Sequence, residues 1–477
     1  MNLFRTKPIE TDLTKDTGLK RVLGPVHLTL MGIGAIIGTG IFVLTGIGAA
    51  NYAGPALVLS FLLAGAVCTC AALAYAELAS SVGGSGSAYA YGYAGLGEFP
   101  AWIIGWMLVL EYTIAISAVS VGWSGYVNNA LQSMGWGLPE TLMHSPFDAT
   151  TPGIINLPAT LVILGLGCLL LTGAKMSAIF NAVVVFIKVS VVLLFIAVAA
   201  FHVDPSNWVP FIPDPTLNAR GEAAFGWHGI AAGAAIVFFA YIGFDAVSTA
   251  AEETANPQRD LPIGILASLG ICTLLYIVVS GLLTGVMHYT QLNTPSPISD
   301  ALLHVGVNWA AGVIALGAIA GLTTVMLVLY YALTRILFAI SRDGLIPSFF
   351  AHISPHTKSP SRAIILMGII MSLIGGLIPL GDLAELTNIG TLGAFAVVCA
   401  GVLILRRERP DLPRPFKVPG GAVLPVLGIL GCLYLMINLQ KTTWIAFLIW
   451  NGLGLLIYFG YSYRCSQLNA GAENAQP

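Results

Sequence analysis

The chain has 477 residues, of which 57% are hydrophobic and only 9% charged, and its mean hydropathy is +0.86. A soluble domain of that composition would not stay in solution, so the bilayer is its solvent. The net charge of −2 leaves no basic excess to draw the chain to nucleic acid or to an acidic surface, and no nucleic-acid or obligate protein partner is expected. The seven cysteines (Cys68, Cys70, Cys168, Cys272, Cys399, Cys432 and Cys465) lie in or beside apolar runs, without metal-ligand spacing to histidine. They read as small buried hydrophobes, and neither a metal nor a cofactor is expected.

The first 21 residues mix Arg5, Lys7, Lys15, Lys20 and Arg21 with Glu10, Asp12 and Asp16 and lead into an apolar run with no small-residue cleavage site close behind it. A retained first span after a cytosolic tail is predicted rather than a cleaved leader. A helix crossing the hydrocarbon core needs about 20 mostly apolar residues. Twelve stretches qualify in chain order: 24–49, 54–79, 99–131, 154–174, 177–201, 228–250, 261–287, 308–340, 362–380, 384–406, 422–440 and 443–463. An even number places both termini on one side. The basic residues give an independent check, because they concentrate in cytosolic loops. The loops on the side of the N-terminal tail carry Lys175, Arg259, Arg335, Arg342, Lys358, Arg362, Arg406, Arg407, Arg409, Arg414, Lys417 and Arg464. Only Arg220 and Lys441 fall on the other side, and Lys188 lies inside a stretch. The expectation is an all-α protein of the cytoplasmic membrane with twelve transmembrane helices and both termini in the cytosol.

The first stretch holds Gly32, Gly34, Gly38 and Gly40 within nine residues, followed by Gly46 and Gly48. Glycine weakens a helix interior. Close packing through small residues explains such a run, and so does an unwound segment, which a membrane tolerates only where the backbone lines a cavity or is buried in protein. The sixth stretch favours unwinding, since Phe238-Phe239-Ala240-Tyr241-Ile242-Gly243-Phe244-Asp245 places a glycine and an acid inside another apolar run. Interruptions at positions one and six are five spans apart, an odd number, so the two halves have inverted topology. This is the pattern of transporters built from inverted repeats with a midplane site between broken helices. The repeats are expected at 22–201 and 202–406, followed by two further helices at 407–463 and a cytosolic tail at 464–477. Half-helix N-termini suit a carboxylate and exposed carbonyls suit an ammonium, so a zwitterionic α-amino acid is the expected cargo. No HExxH, GxSxG or phosphate-binding loop occurs, and enzymatic chemistry has no support.

These residues resemble the amino acid-polyamine-organocation superfamily, in particular the bacterial twelve-helix relatives of cationic amino acid transporters. The glycine-rich first stretch is similar to the family's substrate motif, and Tyr75-Ala76-Glu77-Leu78-Ala79 with Gly84-Ser85-Gly86-Ser87-Ala88-Tyr89 to its second-span and re-entrant-loop signature. Glu252 to Pro257 with Arg259-Asp260-Leu261-Pro262 resembles the segment after its sixth span, and Arg335 with Ser341 to Pro347 its eighth-span ending. Gly83 departs from the pattern, standing where a proline is common. The resemblance implies a substrate site at Ile36, Ile37, Gly38, Thr39 and Gly40 with Phe239, Ala240 and Ile242. The N–H groups of Thr39 and Gly40 would take the carboxylate, and the carbonyls of Ile36, Phe239 and Ile242 the ammonium. Phe239 would also gate the site, and Thr323, Thr324 and Met326 would shape the side-chain pocket.

Ionisable residues inside a membrane are functional candidates. Lys188 lies about 13 Å into its stretch at 1.5 Å per residue. Snorkelling to the headgroups is one role for it; the resemblance implies another, an ammonium replacing a sodium ion and joining the first and eighth helices. Glu111, in the middle of the third stretch, and Asp245, at the sixth break, complete the expected proton-coupling set; Asp245 also suits capping of the half-helix after the break. Glu77, Glu252 and Glu253 fall near cytosolic ends and read as gate elements. The expected activity is amino acid import by proton symport, with exchange, sodium symport and a sensor on the same scaffold as alternatives.

Overall fold

The computed structural model describes residues 3, 5–7, 23–82, 88–148, 151–173, 178–217, 223–355, 357 and 359–468. Each of the twelve apolar stretches contains helix. In chain order the principal helices are α1 (Pro25–Ile36), α2 (Leu57–Val82), α3 (Ala88–Gly95), α4 (Glu98–Ser133), α5 (Leu157–Leu171), α6 (Ala178–Ala199), α7 (Gly226–Val237), α8 (Pro257–Val286), α9 (Pro297–His304), α10 (Asn308–Arg342), α11 (Ser361–Leu377), α12 (Leu380–Glu408), α13 (Val423–Ile437) and α14 (Lys441–Ile457). Among the described residues, eight helical stretches are long and apolar enough to cross a bilayer, and four shorter apolar helices accompany them. The short α3 and α9, and a two-stranded antiparallel ribbon pairing Thr216–Leu217 with Ala223–Ala224, are elements that apolar run length alone does not signal.

Local sequence accounts for many of the ends. Pro25 opens α1 at a position where the missing N–H costs nothing. Gly54 adopts φ +61° at the start of the second stretch, a conformation that only glycine adopts without strain. Asn156 caps α5 by accepting from the Ala159 N–H at 3.2 Å. At 36 residues, α4 is about 54 Å long, well beyond the hydrocarbon thickness.

The sixth stretch, which carries the second break, and α4 are the most deeply buried: 94% and 89% of their most apolar 18 residues are covered by the rest of the protein, against 22% in the last stretch. Large apolar side chains such as Phe186, Leu193, Leu430, Ile449 and Leu456 face outward from α6, α13 and α14, as lipid-facing surfaces do. Inside that shell α10 and α12 pack on α4, α8 packs on α1 and α2, and α6 packs on α10. On one face of the bundle both ends of the described chain converge. Glu98 N–H donates to the Arg5 carbonyl at 2.8 Å, and Gln467 N–H to the Asp343 carbonyl at 3.2 Å.

Candidate substrate and coupling site

Helix α1 stops at Ile36, and Ile37 turns extended with ψ 102°. The chain then resumes as a wide π turn at Gly40–Leu44. In the sixth stretch α7 tightens into a 3-10 turn at Phe238–Tyr241; Ile242 is extended, Gly243 has φ +113°, and a 3-10 helix restarts at Phe244–Glu253. Both predicted interruptions are present, and they touch. A Cβ on Gly40 would lie 2.2 Å from the Ala240 Cα, and one on Gly243 would lie 2.9 Å from the Ala35 carbonyl oxygen. The two glycines thus allow the two unwound backbones to meet. Packing and unwinding are both at work in the glycine run. Gly32 sits against Ser268, and Gly46 against Pro297 and the Leu292 carbonyl, closer than any Cβ would permit, while Gly38 has only ordinary contact with Val325.

Between the breaks lies a cavity with about 10 Å3 of space for the centre of a water molecule, room for about one water. Ile36, Gly38, Thr39, Gly40, Phe239 and Ile242 line it, and Ala35, Ala115, Val119, Val325 and Leu329 complete the wall. Ile37 and Ala240 belong to the breaks but are not among the lining residues. Thr323, Thr324 and Met326 are not either. The Thr323 hydroxyl accepts from the Trp123 indole at 2.9 Å, the Thr324 hydroxyl donates to the Gly321 carbonyl at 2.8 Å, and Met326 is fully buried. The wall of α10 is the Val325/Leu329 stripe, four residues apart. One turn earlier Gly321 receives the stem of Lys188, and two turns earlier Gly317 receives Val191. Glycines four apart on an otherwise apolar helix were the signal for this face.

The freed carbonyls have a partner that sequence inspection missed. The Tyr276 hydroxyl of α8 lies 3.0 Å from the Ile36 carbonyl oxygen and 2.8 Å from that of Ala240. With one proton it donates to one of them at a time. The Phe239 carbonyl accepts from the Ile242 N–H at 3.2 Å. The Thr39 hydroxyl is buried without a hydrogen-bond partner.

Lys188 is buried and extends across the bundle to α1. Its Nζ donates to the Gly34 carbonyl at 2.7 Å, and its stem packs on Gly321 of α10. It therefore bridges the first and eighth stretches and does not snorkel outward. Among the described residues it has one hydrogen-bond acceptor and no carboxylate within ion-pair distance. Glu111 and Asp245 lie close enough to interact electrostatically. The Tyr112 hydroxyl donates to Asp245 Oδ2 at 3.1 Å, whereas Asp245 Oδ1, both Glu111 oxygens and the Tyr75 hydroxyl are buried without a partner. The hydroxyl of Thr391, beside Glu111, donates to the Thr387 carbonyl instead.

Glu77 is not the solvated end residue its position suggests. It is buried and held by Arg406 through Nε at 2.8 Å and a terminal nitrogen at 2.5 Å, with the Val418 N–H adding a third donor at 2.7 Å. The side chains of Glu252 and Glu253, and all of Gly83 to Ser87, Lys175, Arg220 and Lys358, lie outside the described residues. Among the described residues no group of histidine, cysteine or acidic side chains is arranged to hold a metal.

A family profile described as amino acid permease matches residues 23–458. The chain belongs to the amino acid permease family. It is 50% identical over 473 residues to a branched-chain amino acid permease of Bacillus subtilis (strain 168), covering 98% of this chain and 99% of that one. It is 47% identical over 470 residues to the methylthioribose transporter of the same organism, with the same coverage. A vacuolar cationic amino acid transporter 4 of Arabidopsis thaliana is 39% identical over 418 residues, covering 86% of this chain and 68% of the relative. The protein is therefore a multi-pass membrane transporter and not an enzyme.

Proposed function

We propose that the permease imports α-amino acids across the cytoplasmic membrane by proton symport, with twelve crossings, a five-plus-five inverted repeat spanning 22–201 and 202–406, and both termini in the cytosol. The observation that carries this proposal is the cavity bounded by both interrupted helices, Gly38 to Gly40 on one side and Phe239 to Ile242 on the other. N–H groups at the start of the second half of the first stretch have no intrahelical partner and suit a carboxylate, while the Ile36 and Ile242 carbonyls suit an ammonium. Lys188, tied to Gly34 and packed on Gly321, stands in for a sodium ion by joining the two helices that must separate when the site opens. Glu111 and Asp245, each with an unpaired buried oxygen, supply proton-exchanging carboxyls beside the sixth break. The convergence of both chain ends on one face of the bundle supports an even number of crossings. The relatives' names point to different cargoes, branched-chain and cationic amino acids among them, and a site made of backbone groups suits the amino acid head these have in common.

Uptake into proteoliposomes under an imposed pH gradient, with sodium absent, tests the proposal. Accumulation of labelled amino acid driven by the gradient is the expected result. A sodium requirement would overturn proton coupling, a requirement for internal counter-substrate would indicate an exchanger, and binding without uptake would indicate a sensor. Decarboxylated amines that compete as well as the parent amino acids would remove the carboxylate site at Thr39 and Gly40.

A further inference from the structure

We infer that α12 is a splint for the second break, and that Asn388 is the positioning residue through which it acts. Asn388 is fully buried, and its carboxamide Nδ2 donates to the carbonyls of Ala235 at 2.7 Å and Ile236 at 3.0 Å. Both carbonyls belong to the last turn of α7, where the α-helical ladder runs out before the 3-10 turn at Phe238–Tyr241. Only the NH2 end of a carboxamide can face two carbonyls, so these partners fix its orientation. The Oδ1 atom on the other side is buried with no hydrogen-bond partner among the described residues. A leucine of nearly the same size would fill the space without that cost. The two carbonyls that Asn388 holds therefore account for its presence, and packing alone does not.

Two turns further along α12, Phe395 meets the sixth stretch on both sides of its break. Its ring lies 5.9 Å from that of Phe238, before the break, and 5.1 Å from that of Phe244, after it. Asn388, Thr391 and Phe395 are spaced i, i+3 and i+7 and form one stripe about 10 Å long. The middle residue of the stripe, Thr391, lies beside Glu111 of α4. From another side the Tyr276 hydroxyl of α8 reaches the Ala240 carbonyl. The tightened turn is thus gripped at Ala235 and Ile236 by α12 and at Ala240 by α8, and Phe239, which lines the cavity, lies between the two holds. Neither Asn388 nor Phe395 lines the cavity, so each acts on it only through the segment it holds. The inference rests on the proposed placement of substrate between the breaks only for its effect on binding.

Hydrogen–deuterium exchange of the full-length permease in detergent, read peptide by peptide without ligand, tests the splint. Asn388→Leu removes two hydrogen bonds, each worth about fivefold in an equilibrium, together with the unpartnered oxygen. The amides of residues 236–244 should then exchange at least about fivefold faster, while those of Glu98 to Gly105 in α4 and the melting temperature stay near wild type. Phe395→Leu should speed the same amides by about threefold, through the loss of its ring contacts. Unchanged exchange at 236–244 in Asn388→Leu would overturn the inference. An acceleration spread evenly over the bundle would overturn it too, by marking Asn388 as a general stabiliser. Should Asn388→Leu fail to fold, Phe395→Leu decides by the same readout. Labelled L-leucine should bind folded Asn388→Leu about tenfold more weakly than wild type, and unaltered affinity would overturn the positioning role. A wild-type permease that bound no α-amino acid would strike the amino acid proposal instead, and exchange at 236–244 would still decide the splint.

Discussion

Glu98 and Glu111 stand on the same helix, thirteen residues apart, and are almost equally buried at 0% and 1% exposure, yet their surroundings are opposite. Glu98 accepts from Arg5 at 2.9 Å, from Tyr93 at 3.0 Å, from Tyr458 at 3.1 Å and from Ser466. Glu111 has no hydrogen-bond partner for either oxygen. A buried carboxylate is tolerated as structure when its lone pairs are filled and its charge is matched. Glu98 meets that condition, and its donors come from the N-terminal segment, α3 and the C-terminal end. Nearby, Asp343 repeats the arrangement with Lys7 and with the Tyr89 hydroxyl at 2.7 Å, and Glu77 does so with Arg406. These three acids fasten one face of the bundle. In the interior both Glu111 oxygens and one Asp245 oxygen have no partner, and Lys188 has a single acceptor in the Gly34 carbonyl; under the proposed proton symport these are the groups whose partners would change during a cycle.

The comparison breaks most sharply if the two kinds of acid respond alike to substitution. Lys188→Ala should abolish gradient-driven accumulation, a loss of at least about a hundredfold, because it removes the link between α1 and α10 and leaves the Gly34 carbonyl unpaired. Lys188→Arg should not restore it, since a planar guanidinium is bulkier and stays protonated. Ordinary accumulation by Lys188→Ala in proteoliposomes would rule out the role. Glu98→Ala should act on folding instead. Removing one partner of a buried ion pair costs about 3–5 kcal/mol, so the variant should lose thermal stability in detergent or fail to purify, with the transport loss following the loss of folded protein.

Glu111→Gln should do the reverse, retaining the wild-type melting temperature while uptake loses its dependence on the pH gradient by about tenfold or more. A melting temperature as low as that of Glu98→Ala would erase the distinction between the two acids. Two glycines of the first break offer a finer contrast. Gly40→Ala should impair both stability and substrate binding, since its Cβ has no room beside Ala240, whereas Gly38→Ala, facing only the Val325 side chain at 3.4 Å, should fold normally. The smallest effect is expected for Tyr276→Phe. It removes a hydroxyl shared by two carbonyls and should change substrate affinity by a few-fold, about 1 kcal/mol, with stability nearly unchanged; an unaltered affinity by direct binding would show that the tyrosine does not act on the site.

Hydropathy and composition are properties of local chain segments, which is why the positions of the twelve apolar helical stretches and the two interruptions could be read from the sequence before any contact was known. Lys188, Glu111 and Asp245 stood out for the same local reason, as ionisable side chains in apolar surroundings. Helix rotation is another matter, because lipid offers every face of a helix a similar environment and only packing against neighbours chooses between them. The family resemblance pointed to Thr323, Thr324 and Met326 on this helix, and tertiary packing turned Val325 and Leu329 to the cavity. Tyr276 is one tyrosine in an apolar run until α8 packs on α1 and sets its hydroxyl against two carbonyls from different breaks. Glu77 and Glu98, too, become structural acids only where distant segments deliver Arg406 and Arg5. Single-residue chemistry and segment hydropathy are local and are written along the chain, whereas the partner of a buried polar group is a long-range fact that exists only once the helices are packed.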